Sequence, residues 1–313
     1  MGGIAMEKTG LKNLMENVNK VIIGKDETIK LLTVGLLTNG HILIEDVPGL
    51  GKTMLSLALA KSISGEFKRI QFTPDLLPTD VTGGLVYNPK TGDFDFKKGP
   101  VFANILLADE INRTTPRTQS ALLECMQEFK VTVDGRTVAL PQPFMVIATQ
   151  NPIEYQGTYS LPEAQIDRFL MKINMGYPTV EEEVKVISGQ KMHHPIETLG
   201  SVMDLSAVVK LQDGVKAVDV SQNVLDYIVK LVSATRKRDD VRVGASPRAS
   251  IALMKASSAW AFLEGRDYVI PDDIVKLLPW ILKHRLILHP KAMIAGKSPD
   301  TVVSDLLRTI PIS

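Results

Sequence analysis

The feature that most constrains the fold is a strand-like run that leads directly into a glycine loop and a helical pattern, between residues 41 and 60. The run Ile42–Glu45 is apolar enough for a buried strand, and the loop that follows reads Asp-Val-Pro-Gly-Leu-Gly-Lys-Thr, ending at Thr53. Backbone N–H groups of such a loop can surround phosphate oxygens, while its lysine adds positive charge and its threonine hydroxyl can ligate Mg²⁺. The pattern predicts a P-loop in an α/β fold.

The loop departs from the general P-loop pattern at its first position. Asp46 stands where a glycine is usual, so that only Gly49, Gly51, Lys52 and Thr53 are in register. A motif this short also occurs in plain strand-to-helix turns that bind no nucleotide. These residues alone do not distinguish a P-loop from such a turn, and support for either has to come from the rest of the chain.

Length and composition indicate a globular protein with a large α/β domain and a smaller companion. The chain has 313 residues, of which 44% are hydrophobic and 23% charged, and these are ordinary values for globular proteins. No apolar run reaches the ~18 residues that a membrane span requires, and no apolar core follows a basic start at the N-terminus. We therefore expect no membrane span, no secretory signal and a cytoplasmic location.

Cysteine content and charge exclude two further classes. The single cysteine, Cys125, cannot form an internal disulfide or a cysteine metal cluster, and its helical pattern indicates a small buried side chain rather than a nucleophile. The net charge is only +1, and the richest basic run, 236–238, is followed directly by two aspartates. Nucleic acid is therefore an unlikely partner, because binding by phosphate neutralisation usually needs a basic stripe.

Helical and strand patterns alternate in the first part of the chain. Two helices are predicted first, at Met6–Lys20 and Lys25–Leu37, and four strands with helices between most of them follow at Ile42–Glu45, Lys68–Phe72, Ile105–Asp109 and Phe144–Thr149. Such alternation predicts a parallel sheet covered by helices. Two β-hairpins interrupt it, at 84–97 and at 130–139 around Asp134-Gly135. They are either contact elements or caps on a sheet edge.

Strand patterns stop after Pro178, and the remaining sequence predicts helices. These predicted helices are Val180–Gln190, Ser221–Arg236, Pro247–Glu264, Pro271–Lys283 and Pro299–Ile310. We therefore predict an α/β nucleotide-binding domain over residues 1–178 and a small all-α domain over residues 179–313.

Polar side chains follow two of the predicted strands. Asp109 and Glu110 end one strand and point to opposite faces, so that Asp109 could hold Mg²⁺ through water while Glu110 polarises an attacking water. Asn151 ends another strand, where its amide could orient that water or contact a γ-phosphate. The alternatives are plain surface charge for the acids and the start of a turn for Asn151.

Five motifs in this order resemble the MoxR family of AAA+ ATPases. They are Val-Pro-Gly-Leu-Gly-Lys-Thr at 47–53, Leu-Ala-Asp-Glu-Ile-Asn-Arg at 107–113, Ala-Thr-Gln-Asn-Pro at 148–152, Leu-Pro-Glu-Ala-Gln-Ile-Asp-Arg-Phe at 161–169 and Gly-Ala-Ser-Pro-Arg-Ala at 244–249. The resemblance covers roughly residues 20–313. It implies a P-loop AAA+ domain, an αβα sandwich that carries inserted β-hairpins, followed by a small all-α lid domain.

The resemblance also assigns roles to single residues. Asn151 becomes sensor 1, Arg168 an arginine finger that reaches a neighbouring subunit's nucleotide, and Arg248 the sensor 2 arginine that closes the lid. An alternative for Arg168 is a structural ion pair with Asp167 or Glu163. The hairpins fall where this clade has its helix-2 and pre-sensor-1 insertions, and an acidic residue at the position of Asp46 is common in the family.

Together these arguments give a predicted set of site residues. The nucleotide contacts are expected to be Ile22, Ile23, Pro48, Gly49, Leu50, Gly51, Lys52, Thr53 and Met54, the metal ligands Thr53 and Asp109, and the catalytic residues Glu110, Asn151, Arg168 and Arg248.

The family implies hydrolysis of ATP, with Mg²⁺, by a homo-oligomeric ring that is usually a hexamer. Such rings act as chaperones that remodel, assemble or activate client proteins, and the partners often carry a von Willebrand factor A domain. One alternative is a nucleic-acid motor, because the clade includes helicases, although the near-neutral charge disfavours it. Another is a scaffold locked by ATP. The presence of Lys52, Glu110 and Arg168 together argues against such an inactive protein.

Overall fold

The computed structural model describes residues 2–133, 135–151, 159–190 and 193–311. Its helices are α1 (Gly2–Asn19), α2 (Asp26–Leu37), α3 (Lys52–Ser62), α4 (Pro78–Thr82), α5 (Pro116–Glu128), α6 (Glu163–Ile166), α7 (Val180–Gly189), α8 (Leu205–Lys216), α9 (Gln222–Ala234), α10 (Pro247–Leu263), α11 (Pro271–Leu282), α12 (Pro290–Ile294) and α13 (Pro299–Thr309). Its strands are β1 (Ile42–Glu45), β2 (Phe67–Gln71), β3 (Gly83–Asn88), β4 (Asp93–Lys98), β5 (Ile105–Asp109), β6 (Lys130–Val133), β7 (Arg136–Ala139), β8 (Met145–Gln150), β9 (Met171–Ile173), β10 (Val241–Val243) and β11 (Ile287–Leu288).

A five-stranded sheet organises the first domain. Its strands run in the order β2-β5-β8-β1-β9, and all neighbouring pairs are parallel. The carboxyl ends of β1, β5 and β8 therefore lie at one edge of the sheet, where ligands of open α/β sheets usually bind. The predicted strands β1 and β5 are confirmed with their bounds, while β2 and β8 are each displaced by one residue.

Helices cover both faces of this sheet. Ile42 and Ile44 of β1 pack into a hydrophobic cluster that includes α1, α2 and α3, whereas Leu43 between them packs into a second cluster that includes α4 and α5. Successive side chains of a strand point to opposite faces, and each face needs an apolar cover. The observed layers confirm the predicted αβα sandwich.

Three short strands and two helices of the second domain, α8 and α12, were not predicted. The strand β9 completes the sheet beside β1, and α8 lies in a stretch where no helix was expected. In the second domain β10 and β11 pair antiparallel, so that strand structure does not stop at Pro178. Segments of two or three residues are too short to show a period-two pattern. The five helices predicted for this domain are confirmed, with ends that differ by at most two residues.

The helical lid packs against one side of the α/β domain. Helices α8 and α10 contact α2, and α11 contacts β9. The Nε2 group of Gln212 on α8 donates a buried hydrogen bond of 2.7 Å to the carbonyl of Leu36 at the end of α2. Lid side chains belong to the same hydrophobic cluster as α1, α2 and α3. The lid is therefore docked beside β9 and α2.

Both predicted hairpins are present as separate two-stranded sheets. In the parts of the chain that the structure describes, neither β3–β4 nor β6–β7 is hydrogen-bonded to the central sheet. The turn residue Asp134 lies outside the described residues. Tyr87 and Phe94 form an exposed aromatic pair on the first hairpin, with ring centroids 5.5 Å apart. A role as contact elements stays a prediction.

Two further expectations concern membranes and Cys125. Over the described ranges, no helix is both long and apolar enough to cross a bilayer. Cys125 is buried on α5, where burial and the Glu124 carboxylate raise the pKa of its thiol to about 12. The buried position confirms the interpretation of Cys125 as a small buried side chain, and a raised pKa disfavours the reactive thiolate at neutral pH.

Candidate functional site

The predicted P-loop lies between β1 and the first turn of α3. Gly49 and Gly51 have φ of 88° and 84°, and Gly51 is the residue that precedes α3. This left-handed region is strained for residues with a Cβ, which explains the glycines. Asp46 does not have a positive φ, so its backbone does not require the usual glycine.

A cavity of about 370 Å³ opens above the loop. It is lined by Pro48, Gly49, Gly51, Lys52, Thr53, Met54, Arg69, Gln71, Asp109, Glu110, Thr149 and Asn151. The ends of β1, β2, β5 and β8 therefore meet here, as the parallel order of these strands requires.

Most of the predicted nucleotide and metal residues line this cavity. Leu50, Ile22 and Ile23 are not among its lining residues. The Cδ1 atom of Ile22 is 4.0 Å from the position that a Cβ would take on Gly51, so Ile22 lies beside the loop. The roles of these three residues in nucleotide binding stay predictions.

Asp46 fastens the start of the loop to the end of the α/β domain. Its carboxylate accepts hydrogen bonds from the backbone N–H of Met175 and, at 3.4 Å, from that of Gly176. These residues follow β9 and precede the helical lid. The departure from the usual P-loop pattern thus gives the phosphate loop a direct link to the segment between the domains.

Lys52 is held by its own loop. Its ammonium group donates to the carbonyl oxygens of Asp46 at 2.8 Å and Val47 at 3.1 Å. Burial lowers the pKa of Lys52, while the nearby carboxylates of Asp46, Asp109 and Glu110 act in the opposite direction. The side chain is thus a partly desolvated cation beside the cavity, which suits a phosphate ligand.

Asp109 has two partners at the end of β5. One carboxylate oxygen accepts a hydrogen bond of 2.6 Å from the Thr149 hydroxyl, and the other pairs with the Arg69 guanidinium at 2.7 Å. The same Thr149 oxygen accepts from the backbone N–H of Glu110 at 2.8 Å. Thr149 on β8 therefore fixes the positions of both acids relative to the neighbouring strand.

Glu110 has an unusual backbone conformation. Its φ is 57°, and left-handed non-glycine residues often occur at functional sites. Its carboxylate accepts hydrogen bonds from Gln71 at 2.7 Å and Arg113 at 2.9 Å. The two adjacent acids thus have different hydrogen-bond partners, and their division between metal ligand and general base stays a prediction.

The donor set fits a magnesium ion. Thr53 offers a hydroxyl oxygen and Asp109 a carboxylate, and oxygen is the ligand atom that Mg²⁺ prefers. No group of three or more His, Cys, Asp or Glu residues in the described ranges could hold a metal alone. This agrees with sites in which Mg²⁺ takes one or two protein oxygens and completes its shell with water and substrate phosphates.

Arg168 and Arg248 line a different cavity. They share a pocket of about 260 Å³ with Asp167, Lys255 and Arg285, and neither lines the cavity above the P-loop. For Arg168 this agrees with the expectation that a subunit's own phosphates are out of reach. Arg248 lies beside Arg168 because the lid docks on α2 and β9, and its role as sensor 2 stays a prediction.

The alternative of a structural ion pair for Arg168 does not fit the geometry. Asp167 pairs with Arg285 at 2.8 Å, and Glu163 approaches Arg242 at 3.8 Å. Among the ion pairs of the described residues none joins Arg168 to either acid, and its Nε atom is buried without a hydrogen-bond partner.

Comparisons with known proteins agree with this geometry. Residues 41–171 match the model of the ATPase family associated with various cellular activities (AAA), and residues 233–306 match that of the AAA lid domain. The chain is 44% identical over 319 residues to Chaperone MoxR1 of Mycobacterium tuberculosis, covering 99% of this chain and 84% of that protein. The chain belongs to the MoxR family of AAA+ ATPases. The fold and the family expected from the motifs are thereby confirmed.

Two other proteins are similar to this chain over nearly the full length. The YeaC protein of Bacillus subtilis is 53% identical over 302 residues, which are 96% of this chain and 94% of YeaC. A crystal structure of a protein from Cytophaga hutchinsonii superposes with a TM-score of 0.92 at 41% identity. It covers 99% of this chain and 97% of that one.

Three residues of the cavity above the P-loop were not predicted from the sequence. Arg69 and Gln71 on β2 and Thr149 on β8 hold the two acids. Arg69 and Gln71 alternate with the buried Ile70 at the end of a predicted strand, so the period-two pattern could have placed both on one face. That pattern could not have shown that β2 pairs with β5, where the two acids lie.

Proposed function

We propose that this MoxR-type ATPase hydrolyses ATP to ADP and phosphate in an Mg²⁺-dependent reaction, as a homo-oligomeric ring that remodels partner proteins. The observation that carries the proposal is the division of the charged residues between two cavities. Lys52, Asp109 and Glu110 line one, while Arg168 and Arg248 line the other. Each subunit thus has a phosphate site that lacks these arginines, and a surface that has them.

The residues of the first cavity suit phosphate binding and water activation. The loop N–H groups and the Lys52 ammonium can hold the phosphates of ATP. Mg²⁺ held by Thr53 and Asp109 would neutralise phosphate charge. The Glu110 carboxylate can accept a proton from the attacking water, and the Asn151 amide, at the end of β8, can orient that water.

A head-to-tail ring brings the two cavities together. In such a ring each subunit presents one surface to the next, and the contact closes by rotation. Arg168 and Arg248 of one subunit would then face the phosphates of its neighbour. We propose a hexamer because rings of this family are usually hexameric.

The client role rests on the relatives. Chaperone MoxR1 is named a chaperone, and we propose the same kind of activity here, on client proteins that include some with a von Willebrand factor A domain. We place the boundary between the nucleotide-binding domain and the lid at residues 178 and 179. The segment between the end of β9 at Ile173 and the start of α7 at Val180 supports this division.

Mixing two inactive variants tests the proposed ring. Glu110→Gln keeps Arg168 but removes the base, so it should bind ATP and hydrolyse it slowly. Arg168→Ala keeps Glu110 but removes transition-state charge stabilisation, which for arginine fingers contributes about 10³-fold or more in rate. The variants are dissociated, mixed in different ratios and reassembled with ATP, and phosphate release is followed. Activity should reach a maximum at an intermediate ratio.

A normal turnover number in pure Glu110→Gln would assign the base to another residue. A flat line across all mixing ratios, with subunit exchange confirmed by fluorescence, would contradict action of Arg168 on a neighbour.

A further inference from the structure

Arg285 is the most deeply buried arginine at the contact between the lid and the α/β domain. It lies in a 3₁₀ turn, Lys283–Arg285, which directly follows α11, and it is only 8% exposed. Its guanidinium reaches across to the segment 167–170 that carries the proposed arginine finger. No motif in the sequence drew attention to it.

All five N–H donors of this guanidinium have acceptors. The Nε group donates to Oδ1 of Asp167 at 2.8 Å, and the two terminal nitrogens donate to four carbonyl oxygens. These belong to Asp167 at 3.3 Å, Phe169 at 2.6 Å, Leu170 at 3.2 Å and Ile281. An arginine offers five donors in a fixed planar fork, so this set of acceptors uses its full capacity.

The acceptors lie on both sides of Arg168 in the chain. The Asp167 carbonyl belongs to the peptide unit directly before Arg168, and the Phe169 carbonyl belongs to the unit that follows the next residue. Because one rigid group holds both carbonyls, the chain is anchored on each side of Arg168. The side chain of Arg168 therefore starts from a fixed backbone. A lysine in place of Arg285 has three donors on a flexible stem and could not hold all these acceptors.

Asp167 extends the same network to Arg248. Its second carboxylate oxygen accepts a hydrogen bond of 2.8 Å from Ser246, the residue that caps α10, and lies 4.0 Å from the Arg248 guanidinium. The Asp167 carboxylate thus lies between Arg285, which holds it, and Arg248, while the Asp167 backbone carbonyl that precedes Arg168 is also bound to Arg285.

The network is a costly way to stabilise a fold. Burial lowers the pKa of the Arg285 guanidinium, and the Asp167 carboxylate opposes this change. Buried ion pairs are weak evidence for stability, since apolar side chains of similar volume often stabilise equally well or better. What a planar, fully bonded guanidinium provides and an apolar side chain does not is a defined geometry for the segment.

We propose that Arg285 is a positioning residue for catalysis in the neighbouring subunit. Arg285 fixes the segment 167–170 to the end of α11. The position of the lid therefore sets the position of Arg168 at the next subunit's phosphates. Through Asp167 the same network also sets the position of Arg248. The inference rests on the proposed function, in which these arginines act across a subunit interface.

The test compares turnover with nucleotide affinity in Arg285→Lys. This variant keeps the charge and every residue of its own phosphate cavity, so binding of a fluorescent ATP analogue and the KM for ATP should change less than about twofold. Misplacement of a catalytic group by 1 Å can cost about 100-fold in rate, and we expect kcat to fall by about 10- to 100-fold. A variant that merely loosened the fold would weaken binding as well.

Arg266→Lys is the matched control. Arg266 also forms a two-pronged ion pair in the lid, with Asp273 at 2.6 and 2.9 Å, but it does not contact the segment 167–170. Its kcat should stay near that of the unmodified protein. Mixed with Glu110→Gln, Arg285→Lys subunits should regain activity at intermediate ratios, because the partner supplies a well-placed Arg168 to an intact Glu110.

If Arg285→Lys does not fold, Asp167→Asn tests the positioning role of Arg285 instead. It keeps the shape and the acceptor for Arg285 but removes the charge, and it should lose kcat and be complemented in the same way. A normal kcat in a folded Arg285→Lys, or the absence of complementation by Glu110→Gln, overturns the inference. Arg168→Ala is measured in parallel, and full activity in that variant refutes the proposed function itself.

Discussion

Single side chains at the phosphate cavity are held by contacts that a nucleotide would replace. The Lys52 ammonium is bound to the carbonyls of Asp46 and Val47. Phosphate oxygens carry more negative charge than carbonyl oxygens, so the positively charged ammonium interacts more strongly with them. Exchange of these acceptors for phosphate would therefore favour binding without creating a new charge in the site.

Arg69 makes a similar contact at the proposed metal ligand. Its guanidinium pairs with Asp109 at 2.7 Å, although its side chain is 47% exposed. A cation on this carboxylate competes with Mg²⁺ for the same oxygen. The competition is modest, because partly exposed ion pairs contribute only about 0.2–1 kcal/mol.

We expect Arg69→Met to lower the Mg²⁺ concentration needed for half-maximal ATP hydrolysis, by about two- to fivefold. The measurement is ATPase rate against Mg²⁺ concentration at saturating ATP. Lys68→Met, on the same strand, is the control, because Lys68 pairs with Glu66 at 3.1 Å and not with either acid of the cavity. An unchanged or higher Mg²⁺ requirement in Arg69→Met would show that Arg69 does not compete with the ion.

At the scale of the elements, a buried histidine links the start of β1 to α5 and β8. His41 directly precedes β1, its Nε2 donates to the carbonyl of Met126 on α5 at 2.8 Å, and its Nδ1 accepts from the N–H of Val146 on β8 at 3.0 Å. This arrangement requires a neutral ring, because a protonated Nδ1 could not accept. Burial lowers the pKa of His41 to about 4.

The depressed pKa predicts that folding loses stability in mild acid. The unfolded chain, with an ordinary histidine pKa, binds a proton that the folded chain excludes, so the free energy of unfolding falls as pH decreases from about 6.5 towards 4. Between about pH 7.5 and pH 5 the loss from His41 should be roughly 2 kcal/mol. Denaturant unfolding over this range gives the measurement.

His41→Gln separates this contribution from that of the carboxylates. Its amide can donate and accept at similar places but does not titrate, so its unfolding free energy should fall less over the same pH range. His193→Gln is the matched control at an exposed histidine, whose side chain is 75% accessible. Equal pH dependence in His41→Gln and the unmodified protein would contradict a neutral buried His41.

The elements that could be predicted are those whose own residues determine them. The strands β1 and β5 are continuous apolar runs, and the helices of the lid begin at Pro, Ser or Asp signals. The short β9 could not be predicted, because three residues, one of them Lys172, form a strand only when a neighbour such as β1 supplies hydrogen bonds. Local sequence carries no information about that neighbour.

At the scale of the whole molecule, the sequence identified the motif residues but did not predict which of them lie close together in the fold. The proximity of the P-loop to the two acids could be predicted, since parallel strands end at one edge of the sheet. The positions of Arg248 and Arg285 depend on how the lid docks, and this is decided by packing of α8 and α10 on α2. An apolar helix face does not specify which other face covers it.

The docking of the lid decides where Arg248 can act. Its guanidinium lies 4.0 Å from Asp167 and shares a cavity with Arg168, whereas the phosphate cavity of the same chain contains neither arginine. A movement of the lid away from α2 would break the buried bond between Gln212 and Leu36, so this bond opposes a shift of Arg248 towards its own phosphate cavity.

We therefore expect Arg248→Ala to bind ATP but to hydrolyse it poorly, and to be complemented by Glu110→Gln in mixed rings, because in the proposed ring Arg248 would contact the neighbour's phosphates. The measurement is phosphate release against mixing ratio, and Arg242→Ala serves as the control, an exposed lid arginine that lines neither cavity. If Arg248 acts on its own subunit's nucleotide, a Glu110→Gln partner cannot supply it to an Arg248→Ala site. Mixed rings would then stay inactive at every ratio, and the lid would have to move from the position observed.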